Sequence, residues 1–128
     1  MAVDKRIPIM IVDDYSTMRR ILRNLLLQLE FDNVDEAADG SEALQKLRTG
    51  QFGMIISDWN MQPMTGLDLL RDVRSDAKLK HIPFIMVTAE SKTENIIAAK
   101  QAGVSNYIVK PFTADTLRKK IEAVLGAA

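Results

Sequence analysis

A doubly wound α/β fold, with five parallel strands covered by helices on both faces, is predicted by three features of the 128-residue sequence. Five short apolar segments alternate with five segments of helical spacing. The connections between them are short, which favours right-handed crossovers and a parallel sheet as the way to bury every apolar segment. Polar residues able to do chemistry gather directly after the apolar segments rather than within them.

The elements can be justified in order. Ile7 to Val12, Val34 to Ala37, Met54 to Ile56, Phe84 to Val87 and Tyr107 to Val109 show no apolar/polar alternation and are too short for independent helices. They read as strands buried on both faces. After the first, Met18, Ile21, Leu22, Leu25, Leu26 and Leu29 fall on one helical face, with Arg19, Arg20, Arg23 and Gln28 on the other. Helices are expected at Ser41 to Arg48, Leu67 to Arg74 and Thr93 to Ala102, and Leu117, Ile121, Val124 and Leu125 mark a last one. Ser91 with Glu94 forms a capping box, Thr65 with Asp68 resembles one, and Gly50 and Gly103 sit where helices would end. Ile96 and Ile97 are adjacent, so both cannot face the core, and a partner could use the exposed one.

Composition narrows the function classes. Seventeen basic and seventeen acidic side chains cancel, so no global attraction to nucleic acid or anionic membrane is expected. The absence of cysteine excludes disulfides, thiolate catalysis and Cys-ligated metal. The opening "MAVDKRIPIMIVDD" is neither a signal peptide nor a membrane span. The expectation is one cytoplasmic domain over residues 1–128, monomeric, without membrane insertion and with no output domain.

Asp13 and Asp14 follow the first strand, Asp58 the third, Thr88 the fourth and Lys110 the fifth. In a parallel sheet these ends share one edge, where open α/β sheets bind ligands. Three carboxylates brought together repel, so either one is protonated or a cation sits among them. Mg²⁺ suits such an arrangement: it prefers oxygen ligands and takes one or two carboxylates plus a substrate phosphate. Lys110 could neutralise a phosphoryl oxygen and the Thr88 hydroxyl could donate to another. This is the inventory for phosphoryl transfer to a carboxylate, with Asp58 as nucleophile at the central strand's tip and Asp13 and Asp14 better suited to metal.

The stretches "IVDDYSTMRRILRNLL", "ISDWNMQPMTGLDLL", "VTAESKTENIIAAKQAG" and "YIVKPFTADTL" together resemble bacterial response-regulator receiver domains, most closely those of chemotaxis. The resemblance implies a flavodoxin-like strand order 2-1-3-4-5. It implies that Asp58 accepts a phosphoryl group from a chemotaxis-type histidine kinase or a small donor such as acetyl phosphate, with a phosphatase as a further partner. Asp14 would ligate Mg²⁺ directly, Asp13 largely through water, and the Asn60 backbone carbonyl would add a ligand. Lys110 and Thr88 would contact phosphoryl oxygens, and Thr88 and Tyr107 would form the switch. Asn60 and Glu90 would set phosphate lifetime. Lys92, Ile96, Tyr107 and Lys120 would form the partner surface, with the flagellar motor switch as expected partner. Lys110-Pro111 resembles the family's cis-proline junction. One departure stands out: Met61 is followed by Gln62 and only then Pro63, so the loop after Asp58 is expected to take a different path.

Taken singly, each residue also has a plain structural reading. Asp13 and Asp14 could cap a helix, Asp58 and Asn60 form turns, and Lys110 and Glu90 be solvated charges. Thr88 could be an ordinary strand residue, and Tyr107 and Trp59 packing aromatics. Their joint placement favours a site. Other classes compatible with the fold are a turnover phosphatase of the haloacid dehalogenase kind and a flavodoxin-like cofactor binder. The former needs a second acid where Asn60 stands; the latter needs backbone and hydroxyl donors where two carboxylates stand. A receiver serving as a phosphate sink or adaptor without motor binding is a further alternative.

Overall fold

The computed structural model describes residues 5–61, 64–89 and 93–126. β1 (Ile9–Val12), β2 (Val34–Ala37), β3 (Met54–Asp58), β4 (Phe84–Thr88) and β5 (Asn106–Val109) alternate with α1 (Ser16–Gln28), α2 (Gly40–Thr49), α3 (Gly66–Ser75), α4 (Thr93–Gln101) and α5 (Ala114–Ile121), which continues into a π-helical turn at Glu122–Gly126. All strand pairs are parallel, in the order 2-1-3-4-5. The expected fold class and strand order are therefore observed.

Residues alternate between the two faces of each strand, and this divides the core in two. Ile9, Ile11, Met54, Ile56, Ile85, Val87 and Ile108 pack with Leu22 and Leu26 of α1 and Leu117 and Ile121 of α5. Met10, Val12, Ile55, Phe84 and Met86 pack on the other face with Leu44 and Leu47 of α2 and Leu69, Leu70 and Val73 of α3. Each fully buried Leu or Ile contributes about 1.5–3 kcal/mol, so the two layers supply the main driving force for folding. Among the described residues no helix is long and apolar enough to cross a membrane.

The central strands β1, β3 and β4 are buried on both faces, as expected, but β2 and β5 are not: Asp35 is exposed, and Val34, Glu36, Asn106, Tyr107 and Val109 are half-buried. The reason is topological, since β2 and β5 are the edge strands, each with one neighbour. β1 is shorter than expected, starting after Pro8, which cannot donate to the ladder. β3 is longer and carries Ser57 and Asp58 within it.

Local caps fix the helix starts. The Thr65 hydroxyl accepts the Asp68 N–H at 3.1 Å while the Asp68 carboxylate accepts the Thr65 N–H at 3.3 Å, a complete capping box. Asp39 accepts the Glu42 N–H at 2.8 Å, and Thr113 accepts that of Thr116 at 3.1 Å. Gly50 caps α2, and Gly103 follows α4 with φ 95°, a left-handed conformation that glycine adopts without a steric penalty. Ser91, and with it the expected capping box to Glu94, lies outside the described residues.

Candidate functional site

Asp13 comes directly after β1, Asp58 is the last residue of β3, and Lys110 directly follows β5. Counting in twos from Ile9, Ile56 and Ile108 carries the α1/α5 face to these three residues, so strand periodicity aims them at one crevice. The Lys110 Nζ donates to Asp58 Oδ1 at 3.0 Å. One carboxylate oxygen from each of Asp13, Asp14 and Asp58 lies within 4.8 Å of the others. Asp13 and Asp58 are buried, 2% and 6% exposed, whereas Asp14 is open to solvent.

The surrounding backbone sets this geometry. The Asp13 N–H donates to the Ala37 carbonyl at 3.2 Å, and Asp13 Oδ1 accepts the Tyr15 N–H at 2.9 Å, turning the chain from β1 into α1. Beyond β3, the Trp59 N–H reaches the Val87 carbonyl and the Gly66 N–H the Trp59 carbonyl, both at 2.9 Å. A side chain at position 66 would collide with the Asp58 carbonyl oxygen and meet Met86 Sδ at 2.8 Å, so glycine is what lets α3 begin against the site. The Lys110 N–H donates to the Thr88 carbonyl at 2.8 Å, and Lys110-Pro111 is cis, as the resemblance implies.

Burial pushes the Asp13 carboxyl up to about 6. The Tyr15 N–H opposes this, the Asp58 carboxylate adds to it, and the Lys110 ammonium and Asp14 carboxylate make smaller opposing contributions, lowering and raising it respectively. Two like charges 4.8 Å apart repel by roughly 3 kcal/mol at an effective dielectric near 20. Three carboxylates facing one ammonium leave two uncompensated negative charges, which matches a divalent cation. The donors are all oxygens, which suits Mg²⁺ better than a softer metal.

The remaining expected residues divide by location. Thr88, 3% exposed, ends β4 and lines a small apolar cavity with Trp59, Met86, Ile96, Ala99 and Tyr107. Tyr107 is half-buried, with the Lys120 Nζ 5.2 Å from its ring centroid. Ile96 is half-buried in the cavity wall, while Ile97 is the isoleucine turned outward, 48% exposed. Asn60 is exposed, two residues beyond Asp58. Glu90, Lys92 and the Gln62-Pro63 departure lie outside the described residues.

Periodicity alone missed a network of three residues, Arg19, Arg23 and Glu36. Arg19, assigned to the outer face of α1, donates through Nη1 to the Asp13 carbonyl at 2.6 Å and through Nε to Glu36 Oε1 at 3.0 Å. Arg23 donates to Glu36 Oε2 at 2.7 Å. A signal was present: arginines four apart on one helix, and a carboxylate in a strand one position before Ala37, can meet once β2 pairs with β1.

Comparison with known proteins agrees with this geometry. Residues 9–122 match the family model of the response regulator receiver domain. The chain is 59% identical over 116 residues to chemotaxis protein CheY of Pseudomonas aeruginosa, covering 91% of this chain and 94% of that protein. The solved structure of Vibrio cholerae chemotaxis protein CheY4 superposes with a TM-score of 0.88 at 36% identity, covering 94% and 99% of the two chains. Response regulator TrrA of Thermotoga maritima, solved in complex with Mg²⁺ and BeF, superposes with a TM-score of 0.80 at 32% identity, covering 92% and 98%. With its acidic strand-end cluster and the lysine bonded to it, this chain belongs to the response regulator receiver domain family and is closely related to the chemotaxis protein CheY.

Proposed function

We propose that the protein is a phosphorylation switch of a chemotaxis pathway, in which Asp58 accepts a phosphoryl group from a phosphohistidine of a chemotaxis-type histidine kinase. The observation that carries this reading is the Lys110 ammonium 3.0 Å from Asp58 Oδ1 inside a cluster of three carboxylates. An Asp58 oxygen forms a bond to phosphorus as the donor's nitrogen–phosphorus bond breaks and its electron pair returns to the imidazole. The protein's part is positioning and charge neutralisation, which phosphoryl transfer mainly demands. Lys110 neutralises a phosphoryl oxygen and Thr88 donates its hydroxyl to another. Asp13, Asp14, Asp58 and the Asn60 backbone carbonyl would hold Mg²⁺, which when bound supplies positive charge to the transferring group; the carboxylate cluster, and a T. maritima relative solved in complex with Mg²⁺ and BeF, support a Mg²⁺-dependent reading.

The change at Asp58 would be passed through Thr88 and Tyr107 to a surface that includes Lys92, Ile96, Tyr107 and Lys120. The small cavity shared by Thr88, Ile96 and Tyr107 supports this route, since it links the last position of β4 to α4 and β5. The partner on that surface is the flagellar motor switch, Asn60 and Glu90 govern phosphate lifetime, and the location is cytoplasmic. The protein turns over no external substrate of its own. The test is binding to immobilised motor-switch and kinase peptides with and without Mg²⁺ and beryllofluoride. Tighter binding of the motor peptide in the beryllofluoride form supports the motor role. Binding to the kinase alone, unchanged by beryllofluoride, would instead favour a phosphate sink.

A further inference from the structure

The two site aspartates after β1 are held by a device at the edge of the sheet. Arg19 Nη1 donates to the Asp13 carbonyl oxygen at 2.6 Å, shorter than a typical neutral hydrogen bond, as suits a charged donor. The same guanidinium is anchored by Glu36 of β2 at 3.0 Å, and the second Glu36 oxygen takes Arg23, one helical turn on, at 2.7 Å. The next β2 residue, Ala37, accepts the Asp13 N–H. One strand thus restrains Asp13 through its backbone and, by way of Arg19, through the Asp13 carbonyl.

The Asp13 carbonyl belongs to the planar peptide joining Asp13 to Asp14, so fixing that oxygen fixes the direction in which Asp14 leaves. Among the described residues the Asp14 carboxylate has no hydrogen bond of its own, and its place is set by its backbone. Repulsion among three carboxylates works to splay this turn before any cation arrives. Arg19 opposes that motion without touching a carboxylate of the cluster, and Glu36 keeps it from swinging in to neutralise them.

We propose that Arg19, anchored by Glu36, is a positioning residue that pre-sets the Asp13–Asp14 peptide for Mg²⁺. This inference rests on the metal-dependent reading of the site. Groups that orient metal ligands in this way change affinity by about 10-fold to 100-fold when removed.

The test is Mg²⁺ titration read by the fluorescence of Trp59, which adjoins Asp58, alongside the melting temperature without metal. The proteins compared are wild type, Arg19→Met, Glu36→Gln and the charge-swapped Arg19→Glu/Glu36→Arg. Arg19→Met is expected to weaken Mg²⁺ binding by about 10-fold to 100-fold. Glu36→Gln should act in the same direction and stands in should Arg19→Met fail to fold. The swap restores an ion pair but no donor for the Asp13 carbonyl, so it should regain melting temperature and not affinity. Unchanged affinity in the single variants, or affinity restored by the swap, would overturn the proposal. Absence of Mg²⁺ binding by wild type would instead strike the functional reading beneath it.

Discussion

The Lys110 ammonium is bonded to the Asp58 carboxylate at 3.0 Å although the two residues lie 52 positions apart, and both reach the crevice from the tips of parallel strands. With Lys110→Met the cluster loses its only ammonium among the described residues. Phosphate uptake from acetyl phosphate should fall by about 10²-fold, the usual cost of deleting one preorganised electrostatic group. Time-resolved intact-mass measurement checks this.

The raised Asp13 carboxyl makes stability depend on pH with a definite sign. In the folded protein it keeps its proton up to about pH 6, whereas unfolded it releases the proton near 3.8. Its contribution is therefore fully present below pH 3.8 and is lost as pH rises through 6, a loss of about 3 kcal/mol by neutral pH. Urea denaturation without metal should find Asp13→Asn more stable than wild type at pH 7.5, by up to that amount, with the gap closing near pH 4. Glu36, whose carboxyl burial raises but the Arg23 and Arg19 hydrogen bonds pull lower overall, is common to both proteins and cancels.

At Gly66 an added methyl group has nowhere to go, because the Asp58 carbonyl oxygen and Met86 Sδ occupy its place. Gly66→Ala should cost about 1–3 kcal/mol by overpacking. It should also slow phosphorylation, since the strain falls on the backbone of Asp58 itself. Denaturation and phosphorylation rates on the same sample measure both.

Arg74 offers a contrast remote from the site. Its guanidinium donates to the carbonyls of Gly103 at 2.8 Å, Lys80 at 3.0 Å and Ile82 at 2.7 Å, tying α3 to the end of α4 and the start of β4. Arg74→Met should lose about 2–3 kcal/mol, because several carbonyls lose a charged donor at once. Mg²⁺ affinity read by Trp59 fluorescence should stay at the wild-type value.

The architecture was legible because each strand reads as a short apolar run without alternation, while the amphipathic helices carry their period within a few residues. Asp58, Asp13, Asp14 and Lys110 were legible for a related reason: a parallel sheet gathers strand tips, so a residue following an apolar run is placed once the fold is known. The half-exposure of β2 and β5 was not, because edge position depends on strand order, and strand order is a long-range property. Arg19 and Glu36 were also hidden. Their link depends on two rotamers meeting across a helix–strand contact, and neither residue breaks the local pattern that placed the arginines on the outer face of α1.

The central claim is tested most directly by the intact mass of the protein after incubation with Mg²⁺ and acetyl phosphate under conditions that preserve acyl phosphates. One added phosphoryl group in wild type, absent in Asp58→Ala and absent when Mg²⁺ is chelated, is the predicted result. An unchanged wild-type mass, or equal phosphorylation of Asp58→Ala, would contradict it.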